Sequence, residues 1–564
     1  MKIHVLTFSL AFCCLAVALS GQTLIVEIPE HRLLEDADRK LVVAQLDEFP
    51  NLDGYDELVV TSGSLQFTFV ELPDQLGYTQ AYAATKSNDE RTLYFTRLPL
   101  MAVATTVPIP IDPKVPALIT YADAEQVVVS AGGIELRGAS SLSHPKKTYD
   151  LEFWEDATGI ENQDFQFAHL REDDDWILDG IYNEPLRIRS NLTHRLWVDL
   201  HTLHYKDEEP EARAGADVVY VELFVNGSYQ GLYNLSEPID RKQLKLKKFN
   251  GELRGELYKG ATWGSGISTY STIHDYDNNS RSWDGLEMEY PDADELTDWS
   301  RLYAYMDFVQ NASEMDFATD IWQHFDYENS VDYFLFLNLL FAQDNTGKNI
   351  YLARYNADHP YFNVPWDLDG VLGTFHDGSN INTSESILSN GLYDRLLDLP
   401  PAAYRAPLSD RWFQYRQGIF HRDSLFERIA TRIQFLNTEK LYEREALAWG
   451  DDQGFDPDDL THLHNWLDHR LLFLDDYFAG LPTTTNIPSV SVAPVLFPNP
   501  ARERVQVLNA VAFQGAAFAL YDLAGRCVLR GELRGDFIEL GSISTGCYVL
   551  RWTQGRVNRL LVLK

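Results

Sequence analysis

Residues 344–373 read DNTGKNIYLARYNADHPYFNVPWDLDGVLG, and this stretch decides the fold. It follows an apolar run, ENSVDYFLFLNLLFA at 328–342, that reads as a buried helix too short to span a bilayer. Two apolar segments, NIYLARY and YFNVPW, flank turn-forming residues, so a hairpin is expected. Asp344 and Asn349 precede that hairpin in D-x4-N spacing, and Asp367 closes it. Carboxylate and amide oxygens are the hard ligands that Mg2+ prefers. Charged groups gathered behind an apolar helix make poor core, because buried charges must be paired or bind metal. The competing explanation is simpler: Asp and Asn are also the residues that fill turns.

Working outward, ALITY, QVVVSAGGIELRG, KTYDLEFW and VVYVELFV read as strands. VELFVNGSYQGLYNL reads as a hairpin, because Asn226-Gly227 between apolar runs favours a turn with positive φ. Helices are expected in PLRIRSNLTHRLWVDLHTL, ADELTDWSRLYAYMDFVQNA and much of 409–478. Strands first and helices later give an α+β class. Before this core, residues 22–96 alternate apolar runs with turn residues and form a β-rich segment. After it, LPTTTNIPSVSVAP (481–494) reads as an uncharged linker, and 495–564 as a small β-sandwich.

The net charge is -37, with residues 493–564 contributing +4 and the rest -41. An acidic body of this size repels phosphate backbones, so nucleic acid is not expected as a partner. The N-terminus, MKIHVLTFSLAFCCLAVALSGQ, has a basic residue, an apolar run from Val5 to Leu19, and small residues at Ala18 and Ser20. It reads as a signal peptide over 1–21. No later segment is apolar for long enough to be a transmembrane span. Cys13 and Cys14 fall in that leader; the other two cysteines, Cys527 and Cys547, are near the C-terminus. The body is therefore neither disulfide-stapled nor a thiolate metal site.

The D-x4-N, hairpin and Asp367 have the layout of a phosphoryl-transfer centre, in which one Asp takes the acceptor's proton while an Asn and a second Asp hold metal. A second stretch has the same character. GGIELRGASSLSHPKKTYDLEFW (132–154) reads strand, small-residue loop, strand, with Lys146 and Lys147 entering the second strand, where a lysine can grip phosphate oxygens. An exposed polar hairpin is the plainer alternative. With LPLMAVAT, DDWILDGIYNEPLRIRSNL, VELFVNGSYQGLYNLSEPID, ELYKGATW, WDGLEMEYP and PWDLDGVLG, these segments resemble the CotH family, spore-coat-type atypical kinases with a reduced protein-kinase-like fold. The resemblance covers roughly 97–480.

It implies that Lys147, or its neighbour Lys146, contacts the nucleotide, with Glu237 as a partner for that lysine. Asp344 becomes the catalytic aspartate, Asn349 and Asp367 metal ligands, and Asp369 a possible second metal carboxylate. ATP would be the phosphate donor, with Mg2+ or Mn2+, and Ser or Thr of a surface or secreted protein the acceptor. One departure stands out: the family has Arg-Asn where this chain has Arg189-Ser190, so Arg189 as a nucleotide contact lacks its usual neighbour. A catalytically inactive surface or adhesive protein on the same fold is the alternative. Transfer of another group, such as AMP, is a third.

The C-terminal segments VLFPNPARERVQV, ALYDLAGRCVLRGEL, STGCYVLRW and RLLVLK resemble the sorting domain of the type IX secretion system. That resemblance implies the secretion machinery as a partner, and passage to the outer cell surface or the medium. Other features read as ordinary. DYDNNSRSWDGLE departs from a calcium loop at its sixth and twelfth positions, and RKQLKLKK reads as a solvated helix face. His194, His201 and His204 lack the spacing of a metal site.

Overall fold

The alternating apolar runs of the N-terminal segment form a seven-stranded sheet in the order Thr23–Glu27, Glu57–Ser62, Leu65–Phe69, Tyr82–Lys86, Asp89–Thr96, Leu41–Gln45, Leu33–Asp36. Alternate side chains such as Leu58, Val60, Phe67 and Leu93 point to one face and share a core, as the two-residue period of a strand requires. The structure is a computed structural model. It describes residues 21–400, 402–481, 496–497, 501–507, 516–522, 526–535, 537–552 and 557–562. All but the last residue of the expected signal peptide, and all but the first of the expected linker, lie outside the described residues.

The chain divides into two units. The first comprises the chain up to Pro185, Asp217–Pro238 and Thr431–Phe455. Besides the N-terminal sheet it holds a closed barrel of Val127–Arg137, Thr148–Trp154, Asp175–Asp179, Ser228–Ser236, Val218–Val225, Leu100–Ala104 and Val115–Ala122. Ile134, Leu151, Phe153, Trp176, Val221 and Leu235 fill its interior. The expected Asn-Gly hairpin closes two barrel strands, with φ of 50° at Asn226 and 76° at Gly227, the double positive φ of a type I′ turn.

The helix Leu441–Trp449 belongs to this unit although it comes late in the chain. Its Arg444 has no exposed surface and forks onto Glu222 of the strand Val218–Val225, at 2.7 Å from Nε to Oε2 and 2.6 Å from Nη2 to Oε1. Tyr229 donates its hydroxyl to the same carboxylate at 2.6 Å. A bidentate pair so fully desolvated fixes orientation more than it adds net stability.

The second unit comprises Leu186–Ala216, Ile239–Ala430 and the chain from Asp456 onward. A five-stranded sheet runs Ser282–Trp283, Leu286–Tyr290, Glu256–Gly260, Ile350–Arg354, Tyr361–Pro365. The last two strands are the hairpin expected from NIYLARY and YFNVPW. The helix Tyr327–Leu340 is buried from Asn329 through Leu340. It meets the hairpin through a polar clasp: Asn329 Oδ1 accepts from the Asn363 N–H at 2.7 Å, and Nδ2 donates to the Asn363 carbonyl at 2.9 Å. A buried amide so paired sets the register of helix against strand. The helix ends at Phe341, whose φ is 55°, and the chain turns at once into Asp344.

Nearer the C-terminus two small sheets, one of Leu496–Phe497, Arg504–Val507 and Phe537–Glu539, the other of Cys527–Glu532, Ala517–Asp522, Gly546–Trp552 and Val557–Val562, feed one apolar core that includes Val505, Ile538, Leu520 and Trp552. Cys527 and Cys547 are both exposed free thiols. Mixed helices and sheets, with a β-rich N-terminal segment, agree with the α+β expectation. Among the described residues, no helix is long and apolar enough to cross a membrane.

Removing one partner of the Arg444–Glu222 pair leaves a buried charge uncompensated. Glu222→Ala is expected to lower the unfolding free energy by about 3–5 kcal/mol, read as a drop in the denaturant midpoint.

Candidate active site

The residues singled out in the sequence fall into two groups, one in each unit, and each group has its own geometry.

In the first unit, Lys146 lies at the entrance to the strand Thr148–Trp154 and is 1% exposed. Its ammonium donates to Glu445 Oε1 at 2.8 Å, Glu445 Oε2 at 3.0 Å and the Leu232 carbonyl at 2.6 Å. It also sits 4.7 Å from the centre of the Tyr233 ring. Glu445 Oε1 accepts the Leu232 N–H as well, at 2.5 Å. The approach is so close that a Cβ at residue 231 would lie 1.9 Å from Glu445 Oε1. Gly231, at φ 88°, is therefore required on both steric and backbone grounds. The helix that supplies Glu445 also supplies Arg444, so the desolvated Arg444–Glu222 fork aims Glu445 at the lysine.

The resemblance implied Glu237 as the partner of the lysine. Glu237 is wholly buried, and its carboxylate accepts the backbone N–H groups of Arg171 at 2.7 Å and Asp217 at 3.3 Å. Lys147 points elsewhere than Lys146: its ammonium donates to the Leu142 carbonyl at 2.7 Å, in the small-residue loop. Adjacent residues entering a strand face opposite sides, so the two lysines cannot share one role.

Carboxylates also converge in this unit in two overlapping groups, Glu152/Asp174/Asp175 and Asp164/Asp173/Asp174. Asn162 donates to Asp174, and Arg171 pairs with Asp173.

In the second unit, Arg189 begins the helix Arg189–Leu200 and is 1% exposed, with Ser190 buried behind it. Asp344, Asn349, Asp367 and Asp369 do come together. With Gln343, Asn345, Gly370, Phe375 and His376 they line one small cleft. Asp344 opens a single 3-10 turn, Asp344–Thr346, and its Oδ2 lies 3.4 Å from the Lys348 ammonium. Asn349 and Asp367 stand at the two feet of the hairpin, with φ of 53° and 54°. Asn and Asp tolerate that left-handed backbone better than other side-chain-bearing residues.

One residue holds this arrangement together. The buried Asn345 donates its amide to the carbonyls of Asn349, at 2.5 Å, and Trp366, at 2.8 Å. It thus spans both feet of the hairpin, and its own carbonyl accepts the Tyr333 hydroxyl from the preceding helix at 2.9 Å. Its place beside Asp344 was the only sequence signal for it. His376 was not anticipated either. It is brought to the cleft because Gly370 lets the backbone of residues 375 and 376 pack against it; a Cβ at 370 would meet the His376 nitrogen at 2.7 Å.

The electrostatics suit a cation. Asp367 reaches solvent at the floor of the cleft, yet protein crowds around it. That loss of hydration pushes its pKa up first, and the charge of Asp344 adds to the rise; Lys348, Lys259 and a hydrogen bond with the Asp369 carboxyl pull the other way. Two carboxyl groups within hydrogen-bonding reach of each other cannot both ionise comfortably unless a proton or a cation lies between them. Asp367, Asp369 and Asn349 offer oxygen donors, the kind a hard divalent ion such as Mg2+ takes.

The model of the family described as CotH kinase protein matches residues 134–474, more than half of the chain. The chain belongs to the CotH kinase family. The match takes in both groups of residues described above. Comparison with curated proteins returns no match.

In this CotH chain the raised pKa of Asp367 has a consequence for stability. A carboxyl whose folded pKa lies above its unfolded value opposes folding once ionised; the penalty is absent below the unfolded pKa and complete above the folded one. At neutral pH, without divalent ions, Asp367→Asn should therefore raise the melting temperature. Added Mg2+ should raise the melting temperature of the wild type and leave that of Asp367→Asn nearly unchanged. Differential scanning calorimetry with and without the metal checks both.

Proposed function

We propose that this protein is an exported atypical kinase that transfers the γ-phosphate of ATP to a Ser or Thr hydroxyl of a surface or secreted protein. The observation that carries the reading is the cleft in which Asp344 faces Asp367 and Asp369 across the feet of one hairpin. Asp344 accepts the proton of the attacking hydroxyl as the bond from that oxygen to the γ-phosphorus forms. The bond from the γ-phosphorus to the β–γ bridging oxygen breaks, and ADP leaves. Asp367, Asp369 and Asn349 would hold Mg2+ or Mn2+, which when bound supplies positive charge for the transferring phosphoryl group. Asn345 contributes by position, keeping Asn349 and Asp367 at a fixed separation. Lys146 is a better nucleotide contact than Lys147, since Glu445 orients it as a carboxylate orients the strand lysine of protein kinases.

Export is supported by the sequence of the N-terminus and by the C-terminal segments that resemble a type IX sorting domain.

A second reading is a surface protein that keeps the fold without the chemistry. It is favoured by the burial of Lys146, whose ammonium already serves the Leu232 carbonyl and both oxygens of Glu445. To meet a phosphate it has to release one of them.

Incubating the purified protein with γ-labelled ATP, Mg2+ or Mn2+ and candidate surface proteins separates the readings. The expected result is metal-dependent label on Ser or Thr, falling about a hundredfold or more in Asp344→Ala and Asp367→Ala. No transfer together with no metal-dependent ATP binding by calorimetry establishes the second reading; transfer that is unchanged in both variants removes these residues from the mechanism.

A further inference from the structure

We propose that His204 and His359 form a binding site for a zinc-type transition-metal dication, distinct from the carboxylate cleft. His204 lies in the loop after the helix Arg189–Leu200, and His359 lies at the tip of the hairpin whose feet carry Asn349 and Asp367. His204 Nε2 and His359 Nδ1 face each other at 3.3 Å. That is long for an N–H hydrogen bond. It matches the separation of about 3.3 Å between two nitrogens that sit about 2.05 Å from one tetrahedral ion.

The remaining ring nitrogens are arranged as they are in metal-binding histidines, each toward a carboxylate. His204 Nδ1 lies 3.4 Å from Asp326 Oδ2. His359 Nε2 lies 3.8 Å from Glu208 Oε1 and 3.9 Å from Asp358 Oδ1. These carboxylates surround the pair with negative charge, which favours a dication between the rings.

The scaffold is rigid. Tyr205 and Tyr355 stack beside the pair at 4.1 Å and 8°. The Tyr205 hydroxyl donates to the Leu244 carbonyl at 2.7 Å, and His201 is held by Asp332 at 2.9 Å. Both histidine side chains keep some exposure, 17% and 20%, so water can complete the coordination. Imidazole nitrogen selects Zn2+, Cu2+ or Ni2+ over Mg2+. The two residues are 155 positions apart, which is why local spacing gave no sign of them.

Titrating the full chain with Zn2+ in excess Mg2+, added to compete at carboxylate sites, tests the site without any nucleotide. One Zn2+ per chain is expected, with affinity falling at least about tenfold in His204→Gln and in His359→Gln. Cu2+-loaded protein should show magnetic coupling to two imidazole nitrogens by pulsed paramagnetic resonance, and to one in His359→Gln. His359 is on a hairpin tip, so that variant carries the test if His204→Gln fails to fold. Absence of Zn2+ binding in Mg2+, equal affinity in the wild type and His359→Gln, or Cu2+ coupled to fewer than two imidazoles in the wild type would each overturn the proposal.

Discussion

One buried amide organises the cleft. Asn345 has two amide hydrogens and gives one to each foot of the hairpin, so Asn349 and Asp367 are set by a single rigid group. The arrangement works because the hairpin strands, Ile350–Arg354 and Tyr361–Pro365, are themselves buried and cannot shear without breaking their ladder. Tyr333 ties the same residue to the helix Tyr327–Leu340, and Asn329 ties that helix back to the hairpin at Asn363. Helix, turn and hairpin form a closed circuit of hydrogen bonds around an acidic opening. Positioning of this kind is most of what phosphoryl transfer asks of a protein.

The first unit solves a similar problem with charge instead of amides. A fully desolvated fork between Arg444 and Glu222 fixes one helix against a barrel strand, and the next residue along, Glu445, then reaches Lys146. Neither pair needs to add net stability to matter. Their cost in desolvation is compensated only in one geometry, which is how buried ion pairs select a structure. Gly231 shows how tight that geometry is, since no other residue leaves room for the carboxylate.

What the sequence disclosed was whatever lies close together along the chain. The D-x4-N pair, the hairpin and Asp367 fall within a span of 24 residues, and their grouping in one cleft follows from strand and turn chemistry alone. The Asn226-Gly227 turn was legible for the same reason. Lys146 and Lys147 could not be separated, because the choice depends on which face of the strand meets the late helix. Glu237 was expected as a partner because it follows a clear hairpin; Glu445, which meets Lys146, lies 299 residues beyond the lysine. The facing of His204 and His359 was hidden by the same separation along the chain. Asn345 and His376 were passed over because a lone Asn or His carries no periodic or spacing signal; each is placed by a neighbour, Asp344's turn in one case and the bare backbone of Gly370 in the other.

The first unit is assembled from three separate stretches of chain, the last of them Thr431–Phe455. A polypeptide that emerges N-terminus first therefore exposes every barrel strand long before the helix that carries Arg444 and Glu445 exists. Until then the Arg444 fork on Glu222 is absent, so Glu222 stays hydrated, and a barrel with a wet charge in its wall cannot reach its final packing. Closure of the barrel is thus deferred until nearly all of residues 1–455 are present, so assembly proceeds from a loosely ordered chain and finishes late. On the export proposed above, an architecture that delays its own completion keeps the chain threadable while it travels.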